Sequence, residues 1–107
     1  MFARILEFTL KTEKKEDFLK TVRQEVLPIL KKQTGFLEIL PLVNEVKPER
    51  IVVMSLWQKK IDAERYEKET FYKVNEILKP WLNTPVEINY FKLETSLCEH
   101  FVEAMVA

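Results

Sequence analysis

Apolar residues recur along this chain with two different periods, and the switches between them divide it into six segments. From residue 2 to 10, Phe2, Leu6, Phe8 and Leu10 fall on one side and Ala3, Ile5 and Thr9 on the other, the period of two that marks a strand. Phe18, Val22, Val26, Ile29 and Leu30 then repeat at helical spacing. This predicts a helix capped by Thr12, with Glu13, Glu16 and Asp17 in its first turns, Lys31 and Lys32 at its end, and Gly35 taking the left-handed cap conformation. Pro28 lies inside that helix and removes a backbone donor, so a bend is expected there. Residues 36–44 and 50–58 read as strands, and the polar link through Glu45, Lys47, Pro48 and Glu49 makes them a hairpin with a medium loop. Asp62 is placed to cap a second helical region. Its two inward stripes, Ala63 with Tyr66 and Val74 with Ile77, Leu78 and Trp81, meet near Thr70, which predicts a bend or two short helices there. Pro80 and Pro85 close the region, and residues 86–97 alternate as a last strand.

The order strand, helix, strand, strand, helix, strand predicts an α+β fold of ferredoxin-like βαββαβ topology with an antiparallel four-stranded sheet, strands one and three in the centre. The third strand, Arg50-Ile-Val-Val-Met-Ser-Leu-Trp57, is apolar on both faces, with Ile51, Val53 and Trp57 on one and Val52, Met54 and Leu56 on the other. Two helical segments cover only one face of such a sheet. At ~25 cal/mol per Å², an open apolar face of even a few hundred Å² favours association. A homodimer with sheets packed face to face is therefore expected. Beyond the last strand, Leu97, Phe101 and Met105 share helical spacing, with Cys98, Val102 and Val106 beside them. A short docking helix and a frayed terminus fit this tail equally.

Composition narrows the functional classes. The 107 residues suit one domain, with its core at about 2–97 and a tail at 98–107. Seventeen basic residues balance seventeen acidic ones, so no overall field draws the chain to nucleic acid or to an acidic membrane. A single glycine excludes the Gly-rich loops that cradle phosphates, and with them a built-in nucleotide site. The lone Cys98 excludes an internal disulfide and a Cys-rich zinc site, as a reducing cytosol would lead one to expect, and a cytoplasmic protein is the reading. Arg4 and Glu7 interrupt the first residues, which read as no signal peptide, and no apolar run nears the roughly 18 residues of a membrane span. The only histidine, His100, lies in the tail between Glu99 and Glu103, and the carboxylates are scattered over amphipathic helices. Neither a metal site nor a bound cofactor is expected.

Aromatic residues carry the remaining chemistry. Trp57 is either a core residue at a strand end or the wall of a pocket between sheet and helices, packed on a flat ligand. Tyr66, Tyr72, Trp81 and Tyr90 are further candidate walls, each phenol able to hydrogen-bond a ligand oxygen. Asn44 and Arg50 flank the hairpin, where they would either be solvated or stabilise an enolate or peroxide. The expected partner is a small apolar or aromatic molecule.

The Pro28 helix end running into Gln33-Thr-Gly-Phe36, then Ser55-Leu-Trp57 followed by Asp62-Ala-Glu-Arg-Tyr66, together resemble the antibiotic biosynthesis monooxygenase family over roughly residues 2–97. The resemblance implies a dimeric α+β barrel. It also implies one of the family's activities: cofactor-independent oxygenation of quinols or aromatic polyketides, or haem degradation. Haem-degrading members resemble one another in an asparagine on the first strand and a histidine on the helix after the tryptophan. This chain has neither and matches only at Trp57. Quinol oxidases of the family often carry that histidine too. What the resemblance implies for this chain is a cofactor-free monooxygenase with Trp57 as wall and Tyr66 or Tyr72 as hydrogen-bond donor. The alternative is a non-catalytic dimer of the same fold that holds a small ligand.

Overall fold

The alternation at the start of the chain forms β1 (Phe2–Thr9), and the computed structural model describes residues 1–11 and 15–94. Thr12, Glu13 and the tail from Thr95 onward, with Leu97, Cys98, His100 and the stripe through Met105, lie outside the described residues. After β1 the chain runs through α1 (Lys15–Thr21), a π-helical turn (Val22–Val26) and α2 (Leu27–Lys31). Next come β2 (Phe36–Val43) and β3 (Arg50–Trp57), then α3 (Lys60–Glu69), α4 (Phe71–Leu78), a 3-10 turn (Lys79–Trp81) and β4 (Glu87–Lys92). The strands pair in the order β2-β3-β1-β4, all antiparallel, so the two central strands are those with the longest apolar runs. This is the ferredoxin-like arrangement. Among the described residues no helix is long and apolar enough to cross a membrane.

Several local expectations have a physical outcome here. Pro28 sits just past the π-helical turn, where the Leu27 N–H reaches back to the Val22 carbonyl, five residues away. The wide turn accommodates the proline ring and the lost donor within a continuous helical segment. Gly35 has φ +80°, and a Cβ there would overlap the Asp62 carboxyl, so no other residue fits without displacing that side chain. Asp62 is not the cap of the second helical region: α3 begins at Lys60, and no side chain caps it. Asp62 instead lies buried in the first turn, 3.6 Å from the Arg65 guanidinium, at the helix end that favours negative charge. The helices break at Thr70 as expected, its hydroxyl donating to Gln33 Oε1 at 3.3 Å. The last strand is shorter than the sequence suggests, ending at Lys92.

Sheet register sorts the side chains into two faces. Toward the helices point Phe2, Arg4, Leu6 and Phe8 of β1 and Ile51, Val53, Ser55 and Trp57 of β3, all buried. They pack on Phe18, Val22, Val26 and Leu30 from the first helical segment and Ala63, Tyr66, Val74 and Leu78 from the second. The other face carries Ile5, Leu40, Leu42, Val52, Met54 and Phe91, and Leu42 and Phe91 are about half exposed.

Candidate active site

One charged residue sits in the middle of the apolar face. Arg4 occupies the inward phase of β1, between Ser55 on β3 and Tyr90 on β4, and is only 1% exposed. Its guanidinium lies 4.5 Å from the centroid of the Phe71 ring and 5.3 Å from that of Tyr66. Nη2 approaches Glu67 Oε1 at 3.7 Å, within ion-pair reach but beyond a hydrogen bond. Nε and Nη2 have no hydrogen-bond partner within the protein, and they are the only buried side-chain nitrogens or oxygens in that condition among the described residues. A buried cation with unmet donors is costly, and this one lines a partly open cavity of about 30 Å³. The cavity is lined by Arg4, Ser55, Tyr66 and Phe71 together with aliphatic residues that include Val22 and Val26 of the π-helical turn. It has room for a water or two and none for an aromatic ring.

The motif residues from three separate segments support this cavity. Trp57 is fully buried and stacks on Tyr66, with centroids 5.0 Å apart and planes 29° apart, while Phe36 meets it edge-on at 5.6 Å. The Trp57 Nε1–H donates to Ser55 Oγ at 3.0 Å. Behind them the Gln58 N–H donates to the Gly35 carbonyl at 2.8 Å. Tyr66 is fixed between Trp57 and Phe71, the latter edge-on at 6.1 Å. Burial pushes the Tyr66 phenol well above its ordinary value of 10, with the Arg4 charge pulling the other way, so it stays a neutral donor at any ordinary pH. At the rim, the Tyr90 hydroxyl donates to Glu67 Oε1. Its pKa is raised by partial burial, then by that bond and the Glu67 charge, against an opposing effect of Arg4.

The predicted site residues divide by position. Tyr66 lines the cavity, Trp57 stands one layer behind it, and Tyr90 holds Glu67 at its rim. Tyr72 is 60% exposed on α4 and Trp81 packs edge-on against Phe18 at 6.2 Å; neither lines the Arg4 cavity. Asn44 and Arg50 lie in a separate groove of about 600 Å³ with Glu7, Thr84 and Glu87. There Asn44 Oδ1 accepts the N–H groups of Val46 and Lys47 and so builds the hairpin turn. Sequence reasoning missed Arg4, Glu67 and Phe71. The signal for Arg4 was present: position 4 falls in phase with Phe2, Leu6 and Phe8, where a charge has no place unless it works. Among the described residues no three His, Cys, Asp or Glu side chains gather as a metal-holding group.

The family model for antibiotic biosynthesis monooxygenases matches residues 1–74, more than half of the chain, from β1 into the first half of α4. The chain belongs to the antibiotic biosynthesis monooxygenase family. Among solved structures of antibiotic biosynthesis monooxygenase type, it is similar to a candidate enzyme of that name from Nitrosomonas europaea. The TM-score is 0.71 and identity 19%, covering 89% of this chain and 100% of that one. It is also similar to SnoaB, a cofactor-independent oxygenase from Streptomyces nogalater, at TM-score 0.73 and 16% identity over 90% and 95% of the two chains. A Streptomyces coelicolor monooxygenase, ActVA-Orf6, solved with the ligand nanaomycin D, superposes at TM-score 0.75 with 13% identity over 90% and 89%. No curated protein matches the chain. At these identities the likeness to solved structures concerns the fold, and the chemistry must be argued from the side chains.

Proposed function

We propose that this member of the antibiotic biosynthesis monooxygenase family is a cofactor-independent monooxygenase that oxidises a small electron-rich hydroxyaromatic or quinol at Arg4. The observation that carries this reading is the buried guanidinium with two unpartnered donors among aromatic rings. An ionised phenol or enol satisfies that arrangement: its oxygen takes the hydrogen bonds from Nε and Nη2. Glu67, 3.7 Å from Nη2, is the base that accepts the substrate proton. The bound anion is electron-rich enough to pass one electron to dioxygen. The resulting radicals combine at a ring carbon, and protonation with loss of water leaves a new C=O. One oxygen atom of O₂ ends in the product and the other in water, and all four electrons come from the substrate. The protein's part is to bind the anion dry and aligned. Trp57 acts through Tyr66 as a positioning residue.

The open sheet face supports a homodimer, with Leu42 and Phe91 as its exposed apolar contacts. A ligand-binding role without turnover is the second reading, favoured by the lack of an asparagine on β1 and of a histidine on α3 or α4. Oxygen uptake with anthrones and quinols, in chelator and against heat-denatured protein, separates the two. The enzyme reading expects uptake that survives the chelator and falls by about 10²–10³ in Arg4→Met, the usual effect of removing an oxyanion donor. Uptake at the wild-type rate in a folded Arg4→Met protein would overturn it.

A further inference from the structure

The Arg4 cavity is too small for the ring that the proposed function requires, so the body of the substrate must lie elsewhere. Between α4 and the outer strand β4 runs a cleft of about 560 Å³, lined by Phe71, Leu82, Val86 and Ile88 with Asn75 and Lys79. That volume is within the ordinary range of small-molecule sites, and the lining has the mix of apolar walls and a few polar groups that such sites have. The cleft and the cavity lie over neighbouring strands of the sheet. Ile88 pairs in register with Leu6, which lines the cavity, and Tyr90, two residues on, pairs with Arg4.

Phe71 borders both spaces. It is the first residue of α4, immediately after the break at Thr70, and its half-buried ring covers the guanidinium from the cleft side. The larger groove that holds Asn44 and Arg50 shares no lining residue with the cavity.

We infer that the substrate's rings occupy the cleft between α4 and β4 and that Phe71 is the movable partition between them and Arg4. This rests on reading the Arg4 cavity as the site. The ligand class that fits is a flat two- or three-ring aromatic with an acidic oxygen on one edge. When Phe71 swings aside, such a ligand supplies in its place both an aromatic face for the guanidinium and the anion that Phe71 lacks. Cleft and cavity then form one pocket, and Phe71 in its present position reduces the population competent to bind.

The test uses 1,4-dihydroxy-2-naphthoate as probe, under argon, with affinity from calorimetry and association rate from stopped-flow tryptophan fluorescence. Phe71→Ala is expected to raise the association rate by roughly tenfold or more, since a gate open less than a tenth of the time imposes that factor. Ile88→Trp and, independently, Val86→Trp fill the cleft and are expected to weaken binding by about tenfold or more. Both positions are half-buried, and circular dichroism selects the variant that folds. Unchanged rate in Phe71→Ala overturns the partition, and unchanged affinity in a folded cleft-filling variant overturns the cleft as the ring site. Arg4→Met distinguishes the failures: if it binds the probe as tightly as wild type, the Arg4 site itself is wrong.

Discussion

Arg4→Met is the substitution that separates a functional arginine from a structural one, because the two readings predict opposite changes in stability. In the folded protein the side chain is cut off from bulk solvent, and Nε and Nη2 have no hydrogen-bond partner within the protein. At about 2 kcal/mol for each unmet donor, burial costs roughly 4 kcal/mol. The faces of Phe71 and Tyr66 return about 1 kcal/mol each. The 3.7 Å approach to Glu67 returns about 0.5 kcal/mol, since that carboxylate's side chain is 33% exposed and is held by Tyr90 in any case. The arginine thus destabilises the fold by ~1–2 kcal/mol relative to an apolar side chain of its length, and methionine keeps contact with both rings. Urea unfolding should show Arg4→Met more stable by that amount, and its melting temperature should rise by roughly 5–15 °C for a chain of this size. The same variant should lose turnover. A loss of more than about 1 kcal/mol of stability would mean that the donors are satisfied in the folded protein and that the arginine is there to hold it together.

Tyr66→Phe should flatten the alkaline limb of stability. Folding raises the phenol's pKa above 10, so the folded state holds this proton more tightly than the unfolded state; the benefit is complete below about pH 10 and declines above it by about 1.4 kcal/mol per pH unit. Equal slopes for the two proteins between pH 10 and 11.5 would contradict that. Gly35→Ala should cost about 2–4 kcal/mol in chemical unfolding, because it combines a positive φ with overlap on Asp62, and a cost under about 1 kcal/mol would show that the turn yields. Trp57→Phe keeps a ring against Tyr66 but leaves Ser55 without its donor, so about 1–3 kcal/mol of stability and part of kcat should go, with KM little changed. Light scattering at micromolar concentration should give a dimer for the wild type and a monomer for Leu42→Lys with Phe91→Lys, both on the open face; a wild-type monomer would end the dimer proposal.

The architecture was legible in the sequence because strand alternation and helical spacing report burial directly. Phe2 to Leu10, the stripe from Phe18 to Leu30 and the two-sided β3 each fell where their periodicity put them. The break at Thr70 was legible for the same reason, since two stripes that do not share a face cannot belong to one straight helix. The site was less so. Looking for walls and donors among aromatic residues found Trp57, Tyr66 and Tyr90, but large aromatics signal packing as readily as binding, and Tyr72, equally polar at its tip, faces water. Glu67 and Phe71 reach Arg4 only through tertiary contact across α3, α4 and β1, which no local pattern encodes. The cap at Asp62 was misplaced because an acidic residue suits either the cap or the first turn, and electrostatics alone does not choose between them.

The π-helical turn at Val22–Val26 also sets the angular phase of the first helical segment. Phe18, Val22, Val26 and Leu30 are all buried and stand four residues apart. In an ideal α-helix each such step overshoots a full turn by about 40°, so three of them would carry Leu30 about 120° away from Phe18. The widened turn takes back part of that rotation, which lets a four-residue spacing keep to one face. The number of residues between Thr21 and Leu27 is therefore fixed as firmly as their identity. Arg23, Gln24 and Glu25 are exposed and open to substitution, yet deleting any one of them would rotate Val26 and Leu30 off the wall they form opposite Arg4. Related chains that differ in length at this turn would hold differently shaped pockets with every pocket residue unchanged.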